Sequence, residues 1–188
     1  MTVRSLVALL WLFAAQSYAE PSRLLSVGSS VTELVFALDA EQQLVAVDST
    51  SDLPPELELK RLGYHRQLSA EGILSTQPSL LIGSAEMGPA RALSLVKQAG
   101  VKVEQLPEAM DAEQLGANIA RLGELLKRPA QAKQLQLSVH QRAASLAEQQ
   151  TRIKHKKATV FLLLGEGNSV QIAGRDTLAN SLIETAGG

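Results

Sequence analysis

Short apolar runs alternate with longer segments of helical periodicity between residues 23 and 106. A short apolar run bounded by turn residues predicts a buried strand, whereas apolar residues that recur every three or four positions predict a helix. Strands that alternate with helices pair in parallel, so this pattern predicts an α/β layer. The predicted strands are 23–27, 44–47, 80–83 and 101–106, the predicted helices are 31–38, 70–75 with Ser69 as its cap, and 89–99, and the polar segment 48–61 is a predicted loop.

A long helical segment follows this layer. Asp111 precedes one apolar stripe, and Pro129 begins a second helix that runs to about Lys154, roughly 39 Å long. Such a helix is too long for a routine crossover, and its thin stripe suits a rigid strut across two bodies. A strand at 159–164 and a helix at 177–185 come after it. We therefore expect an α/β, two-lobed protein with a single long bridging helix and an incomplete second lobe. Its predicted parts are an N-terminal lobe at 20–128, the bridging helix at 129–156 and the start of a C-terminal lobe at 157–188.

The first nineteen residues predict a cleavable signal peptide. Met1 to Arg4 carries one positive charge, residues 5–15 form an apolar run, and Ser17-Tyr18-Ala19 places small residues where a signal peptidase reads them. A membrane anchor is the alternative, but the run is well short of the roughly 20 apolar residues that span a bilayer. We therefore expect an exported protein, and its lack of cysteine means that it uses no disulfide.

The charge balance bears on the kind of partner. Lys and Arg total 18 against 19 Asp and Glu, and 45% of the residues are hydrophobic. Binding to phosphates needs clustered Lys and Arg, so a balanced chain without a basic block argues against nucleic acid as a partner. The apolar content is sufficient for a folded core.

Three segments carry a family resemblance. They are Arg23-Leu-Leu-Ser-Val-Gly-Ser-Ser-Val-Thr-Glu33, Gly63-Tyr-His-Arg-Gln-Leu-Ser-Ala-Glu-Gly-Ile-Leu-Ser75 followed by Pro78, and Ala173-Gly-Arg-Asp-Thr177 with Ala186-Gly-Gly188. With them, essentially the whole mature chain resembles the periplasmic haem-binding proteins of bacterial ABC importers. The first segment is shared with cobalamin- and siderophore-binding relatives, whereas Gly-Tyr-x-Arg-x-Leu-Ser-Ala-Glu-Gly is much narrower and favours haem.

The resemblance implies two α/β lobes joined by one long helix, with ferric haem held between them. It implies a periplasmic carrier, not an enzyme, that captures haem and docks on the permease of an ABC transporter in the inner membrane for iron uptake. We expect a monomer. Family members continue beyond the point equivalent to residue 188, so the resemblance implies a C-terminally truncated chain.

Two alternative functions remain open. One is a siderophore or cobalamin carrier of the same superfamily. The other is an exported α/β hydrolase with Ser29 or Ser30 as the nucleophile. For the hydrolase, the segment Gly28-Ser29-Ser30 lacks the Gly-x-Ser-x-Gly pattern of a nucleophile elbow.

Tyr64 becomes the one tyrosine of the chain once the leader is removed. A phenolate oxygen is a hard anionic donor that serves as an axial ligand of haem iron in some proteins. A free phenol has a pKa of about 10, so a bound iron and a nearby guanidinium must favour the anion. Arg66 lies two residues on, which in an extended segment places it on the same side. In the resemblance Tyr64 matches the axial ligand and Arg66 its supporting residue; the alternative is a Tyr that packs a loop beside a solvated Arg.

The three histidines are weaker candidates. Alternation in an extended segment would turn His65 away from Tyr64, so we predict a surface histidine. His140 and His155 lie on or near the long helix without a partner four residues away, so they do not predict a metal site. The segment 161–175 contains neither His nor Tyr, so it offers no second axial ligand.

Ser29 and Ser30 follow the first predicted strand, at the edge where open α/β sheets bind ligands. Their hydroxyls and the start of a helix at Val31 could hold an anionic group such as a haem propionate. The alternative is that they only cap that helix.

Glu71 falls in the first turn of the short helix, where the helix dipole favours a carboxylate. In the resemblance it matches a carboxylate that docks on an Arg of the permease. Arg91 and Arg175 are further candidates for a propionate, although we favour a solvated Arg at each position.

Overall fold

The computed structural model describes residues 23–155, 158–164 and 170–188. The predicted signal peptide, 1–19, lies outside the described residues. None of the helices in the described part of the chain is long and apolar enough to cross a membrane.

A five-stranded parallel sheet forms the centre of the first lobe, with the strand order β3-β2-β1-β4-β5. The four strands predicted from their apolar runs are confirmed. β3 lies inside the segment predicted as a loop; it was missed because it has only two residues, both polar and exposed. The strands are β1 Leu24–Val27, β2 Leu44–Val47, β3 Lys60–Arg61, β4 Leu80–Ser84 and β5 Lys102–Leu106.

Helices cover both faces of this sheet. Successive residues of a strand point to opposite faces, so Leu80 and Ile82 join one core cluster and Leu81 joins the other. The first cluster is completed by α1 and α4, and the second by α2 and α3. The parallel α/β layer that the sequence predicts is therefore confirmed. The helices are α1 Ser29–Ala37, α2 Ala70–Leu74, α3 Ala90–Gln98 and α4 Ala112–Leu125.

The long helix, α5, extends over Pro129–Thr151 and confirms the predicted strut, although it ends three residues before Lys154. Its first half packs on α4. Gly123 approaches the helix so closely that a Cβ there would collide with the side chain of Ala132. Gln136 Nε2 donates to the carbonyl of Gly116 at 2.8 Å. The strut is thus attached to the first lobe by close packing and by a polar contact.

Two short strands and one helix follow α5. The strands β6, Leu162–Leu164, and β7, Val170–Ile172, pair antiparallel. β6 is three residues shorter than the predicted strand, and no strand was predicted at the position of β7. The helix α6, Leu178–Thr185, confirms the predicted helix, with the Thr177 side chain accepting from the backbone N–H of Asn180 at 3.2 Å.

α6 contacts both the strut and the first lobe. Gln150 Nε2 on α5 donates to the carbonyl of Glu184 at 2.7 Å. Ser181 Oγ donates to the carbonyl of Met110, which precedes α4, at 2.6 Å. These contacts enclose a space between the carboxyl edge of the sheet, α5 and α6. The boundaries that we gave for the two lobes remain predictions.

Candidate ligand-binding site

A cavity of about 1050 Å³ lies at the carboxyl edge of the five-stranded sheet. The order β3-β2-β1-β4-β5 reverses direction between β1 and β4, and open α/β sheets bind ligands in the crevice at such a point. Gly28–Ser30, which follows β1, and Ser84–Glu86, at the end of β4, both line the cavity. Its volume slightly exceeds the roughly 300–1,000 Å³ of ordinary ligand pockets, so it suits a large ligand.

The segment that carries Tyr64 is a turn, not an extended strand. The backbone N–H of Gln67 donates to the carbonyl of Tyr64 at 2.8 Å, which closes a turn over residues 64–67. The N–H of Gly88 donates to the carbonyl of His65 at 2.9 Å and holds the turn against the end of β4. The prediction that Tyr64 and Arg66 lie on one side and His65 on the other assumes an extended strand. It therefore does not apply to this turn.

Tyr64 lines the cavity with 43% of its surface exposed. Its ring lies against the imidazole of His65, with ring centroids 4.2 Å apart and planes tilted by 52°. No hydrogen bond joins the phenol oxygen to any of the residues that the structure describes. The phenol is thus accessible from the cavity while its ring is supported from one side.

The prediction that His65 is a surface histidine is wrong. Its side chain is only 13% exposed and also lines the cavity. Nδ1 lies 3.7 Å from Asp48 Oδ2, and Nε2 lies 3.6 Å from Glu86 Oε2. Within the described ranges, buried Nδ1 has no hydrogen-bond partner. The turn brings this ring to the same side as Tyr64.

Arg66 points to Glu86 and is not among the residues that line the cavity. A short hydrogen bond joins Arg66 Nη2 to Glu86 Oε1. This bond and the Glu86 charge raise the pKa of the Arg66 guanidinium, and the Tyr64 phenolate acts in the same direction to a smaller extent. The same bond holds the pKa of Glu86 below its ordinary value. Arg66 is therefore electrostatically coupled to Tyr64, but its hydrogen bond goes to a carboxylate.

Asp48 is a buried carboxylate beneath this turn that the sequence reasoning missed. Oδ1 accepts from the N–H of Gly28 at 2.9 Å and from Ser51 Oγ at 2.7 Å, and Oδ2 accepts from Thr50 Oγ1 at 2.6 Å. Burial by itself raises the pKa of Asp48, but the hydrogen bonds from Thr50, Ser51 and Gly28 outweigh it and leave the pKa lowered. Its place directly after β2, at the carboxyl edge of a parallel sheet, is the signal that could have identified it.

Gly28 is the residue that lets β1 turn into α1 at the cavity. Its φ of +95° favours glycine, and a Cβ there would lie 3.3 Å from Ser84 Oγ. α1 begins directly after it, at Ser29, two residues earlier than predicted. The N-cap is Gly28 and no side chain caps the helix, so the alternative role of Ser29 and Ser30 as caps is wrong. Both serines line the cavity.

The remaining predicted site residues lie outside the cavity. Glu71 is exposed in the first turn of α2, where Ser69 accepts from the N–H of Gly72 at 3.0 Å as predicted. Arg91 and Arg175 are exposed and do not line it. In the part of the chain described here, no group of three or more His, Cys, Asp or Glu could hold a metal ion.

The wall opposite the sheet edge comes from α5 and α6 and is mostly apolar. Leu178 and Leu182 of α6 line it together with Val139 and Leu146 of α5. Arg142 lies among them and was also missed, although its spacing of three from Val139 and four from Leu146 could have placed it on this face. The cavity therefore combines a polar sheet edge with an apolar wall that carries one guanidinium.

The family model for periplasmic binding proteins matches residues 24–188, nearly the whole of the described chain. The chain belongs to the periplasmic binding protein family. This is a family of substrate-binding proteins, and one relative is named as an ABC transporter substrate-binding lipoprotein, so the assignment agrees with a binding protein rather than an enzyme.

Solved structures of this family superpose closely on the chain. The periplasmic heme-binding protein HutB of Vibrio cholerae is 41% identical, with a TM-score of 0.82 over 88% of this chain and 64% of that one. The periplasmic heme-binding protein RhuT from Roseiflexus sp. RS-1 is 33% identical, with a TM-score of 0.82 over 89% of this chain and 64% of that one. The predicted α/β fold of the two-lobed binding proteins is thus confirmed. The chain spans about 64% of the length of these two proteins.

A relative named for a different ligand also matches this periplasmic binding protein. The vitamin B12-binding protein of Photorhabdus laumondii is 29% identical over 185 residues, which are 98% of this chain and 66% of that protein. The chain is therefore similar both to proteins named for heme binding and to proteins named for vitamin B12 binding.

Proposed function

We propose that the protein is a periplasmic carrier that captures ferric haem and delivers it to an ABC transporter permease for haem and iron uptake. The observation that carries this proposal is the Tyr64 phenol, accessible on the wall of a cavity of about 1050 Å³. A single phenolate suits an iron that brings its own equatorial ligands, because such an iron needs only an axial donor. The names of the similar solved structures support the same ligand.

Arg66 supports the phenolate by charge. Its guanidinium is paired with Glu86 and interacts electrostatically with Tyr64, so its charge can act on an anionic ligand atom there. Ser29 and Ser30 offer hydroxyls and the start of α1 to an anionic group at the edge of the same cavity. We assign them to a haem propionate.

Cobalamin is the second candidate, favoured by the vitamin B12-binding relatives. Its cobalt is also held in a macrocycle, and the cavity has room for a large ligand. A hard phenolate next to an Arg, however, is suited to ferric iron more than to a neutral corrinoid. A siderophore carrier would use the same crevice without needing an axial phenolate.

The test is a titration of the purified protein with ferric haem and, in parallel, with cyanocobalamin. We expect haem to bind with the absorption spectrum of a high-spin, tyrosinate-ligated iron. Tyr64→Phe should abolish that spectrum and weaken binding by at least about tenfold, which corresponds to roughly 1.4 kcal/mol. Arg91→Ala, which changes an exposed residue outside the cavity, is the control and should behave like the wild type.

The outcomes separate the candidates. An unchanged spectrum in Tyr64→Phe would refute the ligand assignment while leaving haem binding intact. Binding of cyanocobalamin without binding of haem would replace the proposed function by that of a cobalamin carrier.

Delivery to a permease is the second half of the proposal. Glu71 is exposed in the first turn of α2, where a carboxylate can meet an Arg of a partner. Glu71→Arg should therefore leave haem affinity unchanged and reduce haem-stimulated ATP hydrolysis by the cognate importer in liposomes. Equal stimulation by both proteins would remove Glu71 from the docking surface.

Export and assembly can be measured directly. We propose that the chain is cleaved after Ala19 and acts as a monomer in the periplasm. N-terminal sequencing of the protein recovered from the periplasm, and light scattering with and without haem, test these two points. A retained leader or a stable dimer would contradict them.

A further inference from the structure

Arg142 lies on the face of α5 that forms the cavity wall. Arg142 lies three residues after Val139 and four residues before Leu146, and Ala143 has the same two neighbours at spacings of four and three. All four residues line the cavity. Residues at this spacing share one face of a helix. The guanidinium is therefore carried by a rigid element and borders the same space as Tyr64, on a different wall.

Arg142 differs in sign from the other charged residues around the cavity, and it has no charged partner among the described residues. Three carboxylates line the cavity, on Glu86, Glu108 and Asp111, whereas Arg142 is the single Lys or Arg among the described residues of the lining. Glu86 is paired with Arg66, and Asp111 caps α4 by accepting from the N–H of Gln114 at 2.8 Å. Across the described ranges, no carboxylate lies within ion-pair distance of Arg142. Its donors are thus available to a ligand.

We propose that Arg142 pairs with a carboxylate of the bound ligand and so selects an anionic tetrapyrrole over a neutral one. This inference rests on the proposed function and deepens it. Haem carries two propionates, whereas the side chains around a corrin ring are amides. A guanidinium matches a carboxylate through two parallel hydrogen bonds, which adds orientation as well as affinity. Iron at Tyr64 and a propionate at Arg142 would attach the ligand to two walls of the cavity.

The experiment compares ferric haem with its dimethyl ester, in which both propionates are neutral methyl esters, in the same buffer with mild detergent. Arg142→Ala should raise the Kd of haem about 3- to 10-fold and leave the Kd of the ester unchanged. Arg142→Lys keeps the charge without the planar fork and should recover part of the affinity. Ala is a strong helix former at an exposed position, so the variant should fold. Arg91→Ala is the matched control.

Each result has a defined meaning. Equal weakening of both ligands, or of neither, by Arg142→Ala would overturn the proposal while haem binding through Tyr64 stands. A wild-type protein that binds no haem would overturn the proposed function and this inference with it. Loss of affinity for haem alone, restored in part by Lys, supports the pairing.

Discussion

The Tyr64 ring lies against the His65 imidazole, with the ring centroids 4.2 Å apart. His65 itself lies between two carboxylates, 3.7 Å from Asp48 Oδ2 and 3.6 Å from Glu86 Oε2. The buried Asp48 connects this pair to the loop after β2, since it accepts from Ser51 Oγ. The phenol is thus positioned by a neighbour that is anchored in the first lobe.

We predict that His65→Ala weakens haem binding about 2- to 10-fold, because the Tyr64 ring loses its neighbour and samples more orientations. An aromatic pair of this kind contributes about 0.5–1.5 kcal/mol beyond area burial. His65→Phe retains a ring and should bind haem with nearly wild-type affinity. Titration of the three proteins tests this, and equal affinity of all three would show that the ring contact does not position Tyr64.

We predict that Glu86→Gln strengthens haem binding about 2- to 5-fold, because it removes a negative charge from the lining and releases Arg66 toward the phenolate. The hydrogen bond from Arg66 keeps the pKa of Glu86 below its ordinary value of 4.5, so the carboxylate is charged throughout the neutral range. The gain should therefore be constant between about pH 6 and 8. Weaker binding by Glu86→Gln would mean that the carboxylate is needed to orient Arg66.

We predict that Asp48→Asn lowers the free energy of unfolding by about 1–3 kcal/mol at pH 7, because an amide nitrogen cannot accept the hydrogen bonds made to one carboxylate oxygen. The pKa of Asp48 is lower in the folded protein than its ordinary value of 3.8, so the unfolded state binds its proton first as the pH falls. The advantage of the wild type should be complete above about pH 5 and shrink below pH 4.

Urea unfolding of the wild type and Asp48→Asn between pH 7 and pH 3 measures this difference. Asp52→Asn, at an exposed position of the same loop, is the control and should change stability by less than about 0.5 kcal/mol. A difference between Asp48→Asn and the wild type that does not change with pH would contradict the assignment.

We predict that Gly123→Ala destabilises the protein by about 1–3 kcal/mol, because the added methyl group collides with Ala132 and separates α4 from α5. Gly174→Ala meets no atom within 4 Å and should be neutral. Thermal unfolding of both variants checks the prediction. Equal stability would mean that α5 can shift away from α4 without cost.

The regular elements of the first lobe could be predicted because each has a local cause. β2 is an uninterrupted apolar run, β1 is apolar apart from Ser26, and α2 is preceded by a Ser whose side chain caps it. The two-residue strand β3 could not be predicted, because Lys60 and Arg61 pair with β2 at the sheet edge without burying an apolar face. Its existence depends on the partner strand.

The candidate site was predicted only in part. Ser29, Ser30 and Tyr64 line the cavity as their positions after strands or in a narrow motif suggested. The placement of His65 was wrong because the segment forms a turn, closed by a hydrogen bond from Gln67 and attached to Gly88, neither of which periodicity shows. The alternation of an extended strand predicts that the His65 ring faces away from Tyr64, whereas the turn places the two rings on the same side.

The amino-acid sequence alone determined the alternation of strands and helices, the long strut and the one tyrosine outside the predicted leader, because these depend on residue type and short-range spacing. Only the tertiary structure decided which groups meet. Thr50 and Arg142 reach the cavity from the loop after β2 and from α5, about ninety residues apart in the chain. Their meeting depends on the order of strands in the sheet and on the close packing of α4 against α5, which are long-range properties that no local pattern encodes.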